Sequence, residues 1–495
     1  MLELPRTRRA PGWPLVAAFG LLGACAGPRD TSSDPLELSF TPPAAWSASA
    51  QAPTLAPEGD GSQLTAEPAP LDAWWQAFGA PELDASIRFA LAQHPDLRQA
   101  AAQVAAARAH ARAVAGAQSP ELNAALDLSR ARKNLLGLPF TPGQEILPYT
   151  TNAHGIGVQL SWELDLWSRL DAAAQSAVRD SLAAEAEREA MALALSGQIA
   201  RTWLILVQQS SLTGILERRV AIADQSLTLA RRRLAAGTGS AASVTASSAA
   251  RSARQAELER ARREAAQSLA QWSALCGRYP FARAATSPAA ALPDLSSPPP
   301  AGLPAELLAR RPDLAAAELR VRAARSRAQM AEAALLPRVV LTASGGSTAT
   351  DLEDLLSGDF RVWSLAGNVL APIFSGGRLR AEAEAAQAEA AASAAHYVSR
   401  ALTAFAEVES ALSSESFLRE AWNRQQDLAA AFALEADLAT RRFGAGSGDA
   451  ATALASADRA LEAEAAAQAS ALMLLLNRVD LHLALGGGFT GSPTP

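Results

Sequence analysis

The chain is poor in the residues that most often carry chemistry. Its 495 residues hold two cysteines, Cys25 and Cys276, too few for a disulfide framework. Cys276 reads as a buried small hydrophobe at the end of a helix. Five histidines, His94, His110, His154, His396 and His482, are scattered without a metal-ligand spacing such as H-E-x-x-H, and each reads as a solvated or interface residue. The only lysine is Lys133, so the glycine-containing stretches at 345–351 and 375–379 lack the lysine of a phosphate loop. No serine sits in a G-x-S-x-G elbow. Basic residues number 44 against 50 acidic, a net charge of -6, which gives no basic footprint for nucleic acid. After residue 27 no apolar run reaches 18 residues, so no spanning helix is expected. These absences point away from an enzyme: no catalytic residue, metal or diffusible cofactor is expected.

What is present is a repetition. "RRRLAAGTGSAASVTASSAA" (231–250) returns as "TRRFGAGSGDAATALASADRA" (440–460), with Arg233 and Gly237 falling on Arg442 and Gly446. At the same offset, 168–177 falls on 377–386 and 275–277 on 484–486. Upstream, "HPDLRQAAAQVAAARA" (94–109) matches "RPDLAAAELRVRAARS" (311–326) at a slightly larger offset, so the first copy carries a longer loop between 120 and 160. Fixed-offset self-similarity of this extent implies one body built twice. The copies span 71–277 and 303–486, joined by a linker at 278–302 and followed by a tail at 487–495.

At the N-terminus Arg6, Arg8 and Arg9 precede a short apolar run (14–27), the order of a secretory signal at 1–24. Its end, "LGAC" (22–25), is similar to a bacterial lipobox, in which the cysteine is lipidated. The alternative is an ordinary signal whose cysteine is incidental. The next residue is Ala26, not an inner-membrane-retaining aspartate, so the expectation is diacylglycerol and palmitate on Cys25 and an outer-membrane destination. Residues 25–70, rich in Pro, Ser and Ala, read as an extended linker.

Four segments alternate with period two: 121–130, 155–167, 338–346 and 360–370. In the second, Ile156, Val158, Leu160, Trp162, Leu164 and Leu166 oppose Gln159, Ser161, Glu163 and Asp165. In the first, Asp127 lies on the polar face. A soluble sheet with one wet face has the same pattern. Four strands cannot close a barrel, however, and an open edge is forbidden in lipid. The chain is therefore soluble there or shares a barrel with copies of itself, and three copies would give twelve strands around a passage. Phe140, Tyr149, Trp162, Phe360 and Trp363 fall where aromatic girdles lie.

After each hairpin comes a proline-free helical segment, 169–234 and 378–443. About 65 residues make a rod of roughly 100 Å. Alanine dominates, which lets helices approach closely and suits a single-layer wall; a plain coiled-coil stalk is the alternative. The glycine phrases end these rods. Arg232, Arg233, Arg441 and Arg442 sit in last turns, Gly237 and Gly446 suit left-handed caps, and Ser240 and Asp449 suit the caps of returning helices.

Residues 74–109, 160–170, 310–324, 370–382 and the two glycine phrases together resemble the outer-membrane factor family, and more closely its TolC-like, NodT-type efflux lipoprotein branch. The resemblance covers about 72–488. It implies a mainly helical chain with a membrane β-barrel: a homotrimer whose twelve strands close one barrel in outer-membrane lipid and whose long helices form a periplasmic α-barrel tunnel. It implies a passive duct of a tripartite efflux system, docked to a periplasmic adaptor and an inner-membrane pump of the resistance-nodulation-division type. By position the aperture and adaptor contacts fall at Arg232, Arg233, Gly237, Arg441, Arg442, Gly446 and Asp449, with Asp127, Glu163 and Asp165 facing the pore. The sequence departs from the family where a tyrosine is common (Leu234 and Phe443) and where carboxylates are common (Ser243 and Ala246, Thr452 and Ala455). A duct for protein or polysaccharide, or a structural coiled-coil envelope lipoprotein, are the alternatives.

Overall fold

A computed structural model describes Trp46 and residues 73–135, 147–279, 291–294 and 304–487. Cys25 and Phe140 lie outside the described residues. A short turn at Trp74–Phe78 leads into α1 (Pro81–Gln93), α2 (Pro95–Gly116), β1 (Glu121–Leu135), β2 (Leu147–Leu164), α3 (Arg169–Ala235) and α4 (Ala241–Leu275). The second half gives α5 (Pro304–Arg310), α6 (Pro312–Ala333), β3 (Arg338–Ala349), β4 (Arg361–Leu370), α7 (Arg378–Gly444) and α8 (Ala450–Ala484). The chain divides into two compact units, each drawing on both halves: among the described residues, 109–179 with 321–392, and the remainder.

The first unit holds one antiparallel sheet in the order β1-β2-β3-β4. Register sorts its faces. Leu122, Leu126, Leu160 and Ile156 pair across β1 and β2; Trp162 pairs with Leu341, Leu164 with Val339, Val339 with Val369, and Ala343 with Leu365. Because side chains alternate, one face is thereby apolar across all four strands. The other carries Asn123, Asp127, Gln159, Glu163, Thr342 and Asn368, with Ser344 and Ser364 hydrogen-bonded at 2.8 Å. Leu122, Trp363, Leu365 and Val369 on the apolar face are 66 to 82% exposed. That face and the two bare edges, β1 and β4, are untenable for a lone chain in water or in lipid. Gly346, opposite Gly157, is required by proximity: a Cβ there would collide with the Ile156 carbonyl and lie 2.7 Å from the Gly157 Cα.

Strand limits differ from the sequence expectation. β1 continues to Leu135 and β2 begins at Leu147, because the ladder runs on through Arg130, Arg132, Asn134 and Thr150–Asn152 after the alternation has ended. β2 stops at Leu164 and β4 starts at Arg361, after a turn at Gly358–Phe360. Leu166, expected on the strand's apolar face, lies in the turn into α3, where Ser168 takes a φ of 55°; its repeat counterpart, Gly377, has a φ of 83°. Trp162, a girdle expectation, donates to the Gln118 carbonyl at 3.0 Å.

Helices of this unit follow the strand order. Gln118, just past α2, donates to Asp171 of α3; Arg179 of α3 donates to the Arg322 carbonyl and to Ser326 of α6; Gln387 of α7 donates to Glu332 of α6. These contacts give the order α2-α3-α6-α7, whose outer helices, α2 and α7, are the ones joined in sequence to the sheet's edge strands β1 and β4.

In the second unit a core gathers Trp74, Trp75, Phe78, Leu83 and Ile87 against Ile199, Trp203, Leu204 and Val207 of α3, Trp272 of α4 with Cys276 at its C-cap, and Leu475 and Val479 of α8. Among the described residues α3 alone is long and apolar enough to cross a membrane, but 61% of its apolar window is buried, so this is a core helix. The repeat is visible in the contacts too: Gly277 abuts His94 and Pro95, as Gly486 abuts Arg310 and Arg311. Two histidines depart from the solvated expectation. His94 is buried, and its Nδ1 accepts from the Asp96 amide at 3.2 Å, capping α2. His482 stacks on Trp74 at 5.2 Å, and burial beside Arg478 pushes its imidazole down to about 4. Cys276 is fully buried, which raises its thiol to about 11. Within the stretch read as a linker, Trp46 is 3% exposed and packs on Phe405 in a second cluster with Leu307, Leu314, Val408 and Leu485.

Candidate aperture at the two helical hairpins

The two glycine phrases build the same turn bond for bond. After α3 the Gly237 amide donates to Leu234 O at 3.0 Å and the Thr238 amide to Arg233 O at 2.9 Å; after α7 Gly446 donates to Phe443 O and Ser447 to Arg442 O, both at 3.0 Å. This is the Schellman closure, which needs a left-handed residue at its fifth position. Gly237 and Gly446 supply it with φ of 73° and 74°. Gly239 and Gly448 pass so close to the preceding helix that a Cβ would sit 2.9 Å and 2.8 Å from the amide nitrogens of Leu234 and Phe443.

The caps then diverge. Ser240 accepts from the Ser243 amide at 3.2 Å and closes α4, as expected. Asp449 occupies the matching position of α8 but makes no capping hydrogen bond. Its carboxylate instead takes Arg233 of the first hairpin in an ion pair, with side chains 43% and 50% exposed. The cap expectation for Asp449 is therefore corrected: the longer, charged side chain reaches past its own helix to a guanidinium. Arg441 pairs with Asp437 one turn back at 2.9 Å. Arg232 and Arg442 are exposed, and among the described residues they have no ion pair within the chain.

Behind this link lies a network that sequence reasoning missed. Arg219 of α3, nearly buried, donates to Asp458 (2.7 Å) and Glu462 (2.9 Å) of α8, and Arg254 of α4 also reaches Asp458 (3.1 Å). Burial alone would raise the Asp458 carboxyl, but the bonds and charge of Arg219 and Arg254 outweigh it and hold it below the ordinary range. Neighbouring pairs run the same way: Arg218 to Glu464 at 2.7 Å, Arg262 to Glu217 at 2.9 Å, and Arg251 to Asp224. A cavity of about 380 Å³ lies among α3, α4 and α8, lined by Arg219, Arg233, Arg254, Ser243 and Asp458. The available signal was the acidic spacing Asp458, Glu462 on α8, one turn apart, opposite the doublet Arg218-Arg219.

The three carboxylates expected to face the pore separate. Asp127 is exposed on the polar face of β1, opposite Gly155. Glu163 pairs with Arg169 at 2.8 Å, and Asp165 accepts from the Asp171 amide at 2.8 Å, so both brace the passage from β2 into α3.

A one-sided sheet with two open edges, a helix layer in the same order and paired hairpins define a chain of a multi-subunit channel. The outer membrane efflux protein family matches residues 87–278 and 303–487, and the chain belongs to it. It is 33% identical to the pyoverdine export outer membrane protein OpmQ of Pseudomonas aeruginosa over 96% of both chains. It is 29% identical to the toluene efflux pump outer membrane protein TtgI of Pseudomonas putida, over 84% of this chain and 87% of that one. Among solved structures, the outer-membrane channel OprN superposes with a TM-score of 0.79 at 27% identity, covering 94% of this chain and 99% of that one. The protein is thus an outer-membrane efflux channel subunit whose four strands contribute to a trimeric barrel and which extends into the periplasm; the family consists of transport ducts.

Proposed function

We propose that this channel exports small organic molecules and is the outer-membrane end of a tripartite assembly completed by a periplasmic adaptor and an inner-membrane resistance-nodulation-division pump. The observation that carries this reading is the end-to-end match with a pyoverdine export protein, a duct for a small secreted molecule. Its mechanism is a change of aperture. Arg233–Asp449 ties the two hairpins of one chain, while Arg232 and Arg442 are the arms left to reach a neighbouring copy or the adaptor. Cys25 carries the diacylglycerol and palmitate that add a lipid tether to the barrel.

Deletion followed by a susceptibility panel of dyes, detergents and antibiotics tests the cargo. Loss of resistance to at least one compound is expected. Unchanged susceptibility together with loss of a secreted protein or polysaccharide overturns the small-molecule reading. Equal radioactive palmitate incorporation in wild type and Cys25→Ser removes the lipid.

A further inference from the structure

The two most exposed large apolar side chains among the described residues are adjacent: Ile373 at 97% and Phe374 at 91%. They lie between β4 and α7, in "APIFSGG" (371–377), where Gly376 and Gly377 take φ of 61° and 83°. Neither belongs to the alternating face of a strand, so the lipid-facing logic of Trp363, Leu365 and Val369 does not explain them. Their place in the fold does. β4 is the bare edge of the sheet and α7 the bare edge of the helix layer, so this segment sits on the open seam of the unit, where strand and helix edges meet. The opposite seam carries β1 and, beside it, the end of α2, where Ala113, Gly116 and Ala117 are small and exposed.

An edge of this kind is satisfied by the opposite edge of another copy, a head-to-tail contact that generates a ring when the rotation closes. Such interfaces concentrate their binding energy in a few large apolar anchors that fill complementary small-residue surfaces. We infer that Ile373 and Phe374 are the anchors of the seam between subunits, seated on the β1–α2 edge of the next copy of this chain. The inference rests on the ring of three copies and is independent of what the channel carries. It assigns the segment to a protein contact, not to the pore or to lipid.

The test is Phe374→Cys in the full-length channel, whose other described cysteine, Cys276, is fully buried. The variant is reconstituted in lipid vesicles and challenged with a water-soluble maleimide before and after dissociation in detergent, with mass measured alongside. The expected result is a trimer in which the thiol reacts about a hundredfold more slowly than in the dissociated chain, as for a group that must await local opening. A bimane label placed on the dissociated chain and reassembled is expected to be unquenched by nitroxide-bearing lipid. Rapid labelling of an intact trimer places the side chain in the aqueous pore and overturns the inference; strong quenching by the nitroxide lipid places it in the bilayer and overturns it equally. If Phe374→Cys fails to assemble, the conservative Phe374→Leu should restore a trimer where Phe374→Ser does not. Trimers of equal thermal stability in both also refute an anchoring role. A wild-type chain that is not trimeric at all refutes the ring itself.

Discussion

Breaking the Arg233–Asp449 link should loosen the aperture by a calculable amount. Both side chains are about half exposed, so the pair belongs with surface salt bridges, worth about 0.2 to 1 kcal/mol each. A trimer contains three. If the hairpins open together, the closed state loses about 0.6 to 3 kcal/mol, a factor of about 3 to 150 in the ratio of closed to open channels. Arg233→Ala and Asp449→Ala should each raise single-channel conductance in a planar bilayer, and the double variant should go no further than either alone. The exchanged pair, Arg233→Asp with Asp449→Arg, should bring the closed state back. Salt supplies an internal control, because the Debye length falls from about 10 Å at 0.1 M to about 3 Å at 1 M and shrinks the difference between wild type and variants. If the exposed Arg442 reaches a neighbouring copy, Arg442→Ala should raise conductance additively with Asp449→Ala; an arm that serves the adaptor instead leaves conductance unchanged. Strictly additive effects of the Arg233 and Asp449 variants would refute the link as a latch, whatever their size.

Three further outcomes follow from the packing. Trp46→Ala should cost about 3 to 5 kcal/mol, the usual range for a buried tryptophan, read as a lower thermal-melt midpoint, whereas Trp46→Phe should keep most of that stability. Buried His482 should make the protein less stable as pH falls. Its folded imidazole stays neutral down to about 4 while the unfolded one takes a proton near 6.5, so about 3 kcal/mol per chain is lost between those values, and His482→Phe should flatten the thermal-melt profile over that window. Gly346→Ala should cost about 1 to 3 kcal/mol by forcing β2 from β3, seen as a smaller heat-modifiable fraction on electrophoresis.

The architecture was legible because it is repetitive at two scales. Period-two alternation in 155–164 and the proline-free runs of α3 and α7 belong to elements whose periodicity extends over many residues, so tertiary context had little to override. The strand ends were not legible. Beyond Arg130 the ladder is held mainly by backbone pairing, and Arg132, Lys133, Asn134 and Thr150–Asn152 put polar side chains on both faces, which leaves no alternation to read. Buried histidines were missed for a related reason: His482 lies on an α8 face shared with Leu475 and Val479, but a single polar residue in an apolar stripe does not announce its stacking partner, Trp74, which lies some four hundred residues away in sequence. Trp46 was hidden because one anchor in a Pro- and Ser-rich stretch has no periodicity.

The hairpins show how a duplicated turn becomes an asymmetric device. Both copies keep the Schellman backbone closure and the glycine that follows it, since these glycines are fixed by conformation and by proximity to the preceding helix. What changed is the residue immediately after it. A serine hydroxyl is short and finds the Ser243 amide within its own helix, so the first hairpin is self-contained. A carboxylate at the equivalent place is charged, and the Arg233 guanidinium of the neighbouring hairpin offers it a full opposite charge that the local amides lack. The uncapped α8 start is the cost of that choice, so the second hairpin holds itself less firmly than it holds the first. In the mechanism we propose, an aperture built from three such pairs opens by separating the hairpins within each chain, while the partly buried Arg219–Asp458 pair ties α3 to α8 behind them.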